Sequence, residues 1–138
     1  MQQGDAKRPY YTFGKKERIS SKIVFQRLLS LRQSLFCYPF KCYYEVISST
    51  PDDCSHSIAI AVPKRNLKKA VDRNRIKRLT REAYRLNKRH IWKKFPEGDM
   101  KLNILFVYIA REIVSYSVIE KNMKELLDKI VESVMRRK

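Results

Sequence analysis

Glycine is nearly absent from this chain of 138 residues, with three in all, Gly4, Gly14 and Gly98. They are too far apart to build a loop that cradles phosphate with backbone amides. Cysteine is scarce and poorly spaced for metal. Cys37, Cys42 and Cys54 make no Cys-x-x-Cys pair, and His56 and His90 are the only histidines, so no zinc template fits. An odd number of such thiols reads as free cysteines of a reducing cytoplasm. No run approaches the ~20 apolar residues of a membrane span. The opening MQQGDAKRPYYTFGKK lacks the apolar core of a secretory signal. Acids are few, 14 against 31 Lys and Arg, and they form no cluster spaced for metal-assisted hydrolysis. The expectation is a chain with no catalytic residue, no side-chain metal site and no membrane partner of its own.

What the chain does have is positive charge, and most of it lies in one place. From Lys64 to Lys94 fourteen Lys or Arg stand against two acids, Asp72 and Glu82, which is +12 of the formal +17. On a helix, Ile76, Leu79, Ala83 and Leu86 fall on one side as a core-facing stripe. Lys77, Arg78, Arg81, Arg85, Lys88 and Arg89 then point away from it, with Asn74 among them. A row of like charges repels itself along a helix, so this face calls for an anionic partner. Arginine in particular suits phosphate, because its planar fork matches two oxygens. A helix lying on a membrane would carry Trp, Phe or several large apolar groups opposite its cations, which favours nucleic acid. DNA is not the expected partner, since no companion helix with a tight turn precedes the basic one as helix-turn-helix docking requires.

The remaining segments suit one domain of ordinary size. Residues 1–16 are polar and basic without periodicity, either a flexible tail with no role or an arm that settles on RNA. Ser20 or Ser21 can cap a short helix to about Leu31, with Val24, Phe25, Leu28 and Leu29 apolar. FCYPFKCYYEVI, Phe36 to Ile47, alternates as a strand, with Phe40, Cys42, Tyr44 and Val46 inward. Tyr43 then lies on the polar face beside Lys41 and Glu45, where it either stacks on a base or makes an ordinary cross-strand pair. Residues 48–56 read as a hairpin loop leading into a second strand, Ser57 to Val62, whose Ala59 and Ala61 leave a shallow outer surface. Pro63 ends that strand, so Lys64 and Arg65 project from its terminus, and Asn66 or Asp72 can cap the basic helix. Trp92 is a packing residue. Leu102 to Ala110 is apolar on both faces, as a central strand requires. A last helix opens on a capping box, Ser117 to Glu120. The sum is an α+β fold, a small sheet packed by helices.

Arg73-Asn74-Arg75, continued as Ile76-Lys77-Arg78-Leu79-Thr80-Arg81-Glu82 and preceded by Lys64-Arg65-Asn66-Leu67-Lys68-Lys69-Ala70, resembles the signature of the protein subunit of bacterial ribonuclease P. Lys68-Lys69 stands where some members have Gly-Asn and others two basic residues. The likeness extends more weakly from about Arg18 to Val134, so 17–138 would be one domain of that family. The resemblance implies a small mixed sheet with a left-handed βαβ crossover around the basic helix. It implies a partner, the catalytic RNA subunit, which with Mg2+ removes the 5′ leader of precursor tRNA, so that the protein is an accessory subunit of a holoenzyme endoribonuclease. It would assign Lys64, Arg65, Arg73, Asn74, Arg75, Lys77, Arg78 and Arg81 to RNA binding, and Phe25, Tyr43, Ala61 and Arg111 to a cleft that takes the leader. Phe25 reads as core from periodicity alone. Where many relatives have a second aromatic one turn on, this chain has Leu29. The alternative is a non-catalytic RNA-binding protein of ribosome assembly.

Overall fold

Ser21 starts the first helix by accepting the Val24 N–H on its hydroxyl at 3.4 Å. In this computed structural model, which describes residues 18–19, 21–32, 34–48, 56–93 and 100–136, that helix is α1, Lys22–Leu29. It stops at Leu29 because Ser30 folds back and donates its hydroxyl to the Arg27 carbonyl at 2.7 Å. Leu28 is its one fully buried side chain.

The single strand expected from Phe36 to Ile47 is two strands, β1, Leu35–Cys37, and β2, Phe40–Ser48. Tyr38 and Pro39 form the turn between them, and Cys37 pairs with Phe40. Proline has no N–H for a ladder and suits a turn, so the ladder breaks there and Phe36 is left on an exposed edge. Beyond it lie β3, Ser57–Ala61; α2, Ala70–Trp92; β4, Met100–Tyr108; and α3, Tyr116–Arg136.

Among the described residues the sheet runs β1-β2-β4-β3. This corrects the hairpin reading of residues 48–56. Strands β2 and β3 are not partners, because β4 enters between them, antiparallel to β2 (Tyr43 opposite Leu105) and parallel to β3 (Ile58 opposite Ile104). The cause is the composition of β4. Leu102 through Phe106 are all buried, including the apolar Leu102, Ile104, Leu105 and Phe106, and a strand apolar on both sides is stable only in the middle. β3, α2 and β4 thus make a βαβ unit in an α+β fold with a mixed sheet.

One sheet face, with Phe40, Cys42, Ile58, Ile104, Phe106 and Tyr108, packs with α2 and α3 into the main core. Phe40 meets Phe106 and Tyr108 edge-on at 6.1 and 5.9 Å. The other face carries α1, and there Leu28 and Leu105 are buried apart from that core.

Helix α2 is turned relative to the expected stripe. Ile76 and Ala83 are buried and Leu79 is half-buried, but Leu86 is 42% exposed. The stripe is completed by Thr80, Tyr84, Asn87 and Lys88, and Lys88 is only 3% exposed, so it leaves the outward face. Apolar spacing misjudged the direction because these polar atoms find partners. Thr80 donates to the Ile76 carbonyl at 2.7 Å, Asn87 donates to the Ala83 carbonyl and to Glu120 of α3 at 2.7 and 3.0 Å, and the Lys88 ammonium lies 6.0 Å from the Tyr84 ring.

The caps also differ from expectation. Ser115, not Ser117, accepts the Val118 N–H at the start of α3, and Glu120 reaches across to Asn87 instead of back to the helix end. Asn66 does not cap α2; its amide donates to the Tyr108 carbonyl at 3.0 Å and ties the turn at 64–66 to the end of β4. Asp72 lies within the first turn of α2, where a negative charge favours the helix dipole. Trp92 packs as expected, donating to the Tyr84 hydroxyl at 2.9 Å and lying 4.4 Å from the His56 ring. His56 accepts the Leu102 N–H on Nδ1 at 2.9 Å. No described helix is long and apolar enough to cross a membrane. The arm at residues 1–16, Ser20, Cys54 and the Arg137-Lys138 end lie outside the described residues.

Candidate nucleic-acid interface

Because Ile76, Ala83 and Tyr84 hold one side of α2 in the core, the opposite side must face solvent, and the cations follow from helical spacing. Asn74, Arg75, Arg78 and Arg81 are exposed and Lys77 is half-buried. Among the described residues none of these five has a carboxylate partner. Arg85 differs, since Glu82 one turn earlier accepts from its Nε and Nη2 at 3.0 and 2.7 Å. That bond raises the Arg85 pKa and lowers that of Glu82. Arg73 differs again. Its Nη1 donates to the carbonyls of Leu67 and Lys68 at 2.9 and 2.8 Å, so one of its two terminal nitrogens is spent on shaping the turn before the helix. Lys64 and Arg65 are exposed on the turn that follows β3.

Beside the basic face lies a cleft of about 230 Å³, lined by Arg18, Ile19, Phe25, Ile58, Ala59, Ile60 and Arg81. Phe25 is therefore half-buried at the rim of an opening and not a core residue. The floor is the edge strand β3. Just ahead of α1 the chain adds to that edge, with Arg18 bridging Ile58 and the Ile19 N–H donating to the Ile58 carbonyl at 3.0 Å. Cross-strand register puts Tyr43, Leu105 and Ala59 on this same sheet face, and likewise Lys41, Val107 and Ala61. The Lys41 ammonium stands 5.5 Å from the Tyr43 ring, which sets a cation beside an aromatic surface, the pairing that single-stranded nucleic acid uses.

Arg111 is not brought to Phe25. It lines a separate groove of about 410 Å³ with Arg65, Asn66, Leu67, Lys68, Lys69 and Asp72. Sequence reasoning passed over Lys68 and Lys69, although both are in the basic run, and over Arg18 and Ile19. Nothing in the periodicity signals that residues 18–19 pair with β3, because the partner is an edge far along the chain. Among the described residues no three His, Cys, Asp or Glu side chains gather where a cation could be held. Cys37 and Cys42 are free and buried.

A ribonuclease P family model matches residues 13–131. The chain belongs to the ribonuclease P protein family. Ribonuclease P protein components from two strains of Porphyromonas gingivalis are 29% identical over 126 residues, covering 91% of each chain, and 30% identical over 125 residues, covering 89% of this chain and 90% of the relative. The fold is shared with the ribonuclease P protein of Staphylococcus aureus, at a TM-score of 0.59 and 24% identity over 83% of this chain and 94% of that one. It is shared also with that of Thermotoga maritima, at 0.61 and 22% over 82% and 96%. Membership gives the chain a role in ribonuclease P.

Proposed function

We propose that this chain is the subunit that grips RNA in ribonuclease P, binding the catalytic RNA and holding the 5′ leader of precursor tRNA while the leader is removed. The observation that carries this reading is the outward face of α2, where Arg75, Arg78 and Arg81 stand exposed with no carboxylate partner among the described residues. Such a row is stabilised by a polyanion, whose counterions it displaces. Lys64, Arg65, Arg73, Asn74 and Lys77 extend the surface, and Arg73 contributes only what its bonds to Leu67 and Lys68 leave free. Phosphate contacts of this kind neutralise and position; they do not read sequence.

The leader would run over the sheet face beside α1, along the cleft at Phe25. Phe25 and Arg81 line the cleft, and Tyr43, Lys41 and Ala61, which share the sheet face by register without lining the cleft, would extend the path with a ring, a charge and a low surface. Stacking and shape would hold it with little base preference. Arg111 would meet phosphate in its own groove with Arg65, Lys68 and Lys69. Among the described residues no three His, Cys, Asp or Glu side chains gather to hold the Mg2+ that the family implies; in this reading hydrolysis is the RNA's part, and the protein's part is electrostatic.

The test is reconstitution. Adding the protein to its cognate RNA and precursor tRNA at low Mg2+ should stimulate 5′ cleavage, and the protein alone should cleave nothing. With about six phosphates engaged, log affinity should fall against log salt with a slope of about −4 to −5. A flat salt dependence, or cleavage by the protein without RNA, would refute the reading.

A further inference from the structure

Helix α1 is a short lever, eight residues resting on β2 and β4. Leu28 is its one fully buried side chain, with Val24 and Phe25 half-buried, and one such anchor sets the height of a helix better than its rotation. At about 100° per residue, Arg27 and Phe25 stand about 200° apart on α1, one on each flank of Leu28. Phe25 overhangs β3 at the cleft. On the other flank Arg27 reaches β2, where its Nε donates to Glu45 Oε1 at 2.8 Å and its Nη2 donates to Oε2. Asn103 of β4, opposite Glu45 in the ladder, donates to the same Oε2 at 2.9 Å.

We propose that Arg27, Glu45 and Asn103 form a brace that fixes the roll of α1 over the sheet and so sets the opening beneath Phe25. This rests on the reading that the cleft takes the leader. Bidentate guanidinium–carboxylate geometry is directional, and Asn103 fixes the acceptor from a second strand, so α1 cannot turn about Leu28 without breaking it. Turning in either direction would carry Phe25 toward or away from Ala59 and Ile60. The brace has a second effect. Glu45 is the one acid that the described strands place on this face, and left alone it would repel phosphate. The Arg27 bond holds its carboxyl below the usual range against the opposing influence of burial, which keeps the pair formed at neutral pH, and the cation masks the charge.

The experiment uses the reconstituted holoenzyme and two precursor tRNAs, one with a long leader and one with a single leader nucleotide. The wild type should bind the first more tightly. Arg27→Gln and Glu45→Gln should each weaken long-leader binding by about fivefold, the scale of a well-formed ion pair at a partly exposed site, with the loss confined to that substrate. Arg27→Lys, which leaves the buried groups in place, should fall between. The exchange Arg27→Glu with Glu45→Arg should recover most of the loss, which a purely structural defect would not permit. Circular dichroism melts confirm that each variant is folded at the assay temperature. If the wild type shows leader dependence and both single variants keep it intact, or if the exchange recovers nothing, the brace is wrong while the leader reading stands. If the wild type itself ignores leader length, the leader reading fails and takes the brace with it.

Discussion

The two faces of β4 are built from alternate residues of one strand and serve opposite ends. Leu102, Ile104, Phe106 and Tyr108 enter the main core beneath α2 and α3. Asn103, Leu105 and Val107 look toward α1, where among the described residues Leu28 and Leu105 are the fully buried apolar side chains, beside a cleft, the Arg27–Glu45–Asn103 cluster and a ring beside a cation. Among the described residues the first face is covered by two helices of 23 and 21 residues, the second by one of eight. Burial among the described residues is concentrated on one side of the sheet, and the other side holds the cleft.

The sharpest way to break this comparison is to remove one ring from each face. Phe106→Ala deletes a fully buried aromatic and should lower unfolding free energy by about 3 to 5 kcal/mol, measured by urea denaturation. Tyr43→Ala, half-buried on the other face, should cost under about 1 kcal/mol. Equal losses would mean that the α1 side bears load after all.

On the main-core side acid should act first through His56, whereas Glu45 on the α1 face, held below the usual carboxylate range by Arg27, responds only at lower pH. Burial pushes the His56 pKa down to about 4 from an ordinary 6.5, with Lys101 adding to the effect, and its neutral Nδ1 holds the Leu102 N–H. A base whose folded pKa is lowered costs nothing above the unfolded value and loses stability as pH falls. Between pH 6.5 and about 4 this group should remove about 3 kcal/mol, complete below pH 4. His56→Asn keeps an acceptor and cannot titrate. Its stability profile should lack this limb, and an unchanged acid limb would show that other groups carry it.

How much of this was legible follows from which forces act locally. The buried run of β4, the inward alternation of Phe40, Cys42 and Tyr44, and the packing role of Trp92 could be read from the sequence because burial repeats with the period of the element. The neighbour of β2 could not, since residues 48–56 look like a turn whether or not the flanking strands pair. Nor could the rotation of α2. It depends on Glu120 of α3 supplying an acceptor for Asn87, and no apolar count along α2 contains that residue. The basic motif located the cationic helix, but it could not show that Arg73 turns back on the chain or that Arg111 lies apart from Phe25.

On the open face, effects should appear in binding and spare the fold. Phe25→Ala and Tyr43→Ala should each reduce holoenzyme affinity for precursor tRNA by about 1 to 3 kcal/mol. Affinity for mature tRNA, which has no leader, should be unchanged. Fluorescence titration of both RNAs gives the difference directly. A loss shared equally by the two would place these rings outside the leader's path.

The finest distinction lies within α2 itself, between two arginines five residues apart in the same motif. Arg78 is exposed with no described partner, so Arg78→Ala should leave stability within about 0.5 kcal/mol and reduce the salt slope of RNA binding by about 0.7 to 0.9, one phosphate's worth. Arg73 donates to the Leu67 and Lys68 carbonyls, and Arg73→Ala should cost about 1 kcal/mol of stability through those bonds. It should also loosen the turn that lines the Arg111 groove, so its effect on binding need not track a single lost charge. Arg73→Lys separates the two roles, because an ammonium keeps the charge but cannot reproduce the fork. If Arg73→Lys restores stability and slope together, the guanidinium is simply one more phosphate contact and the two arginines are equivalent.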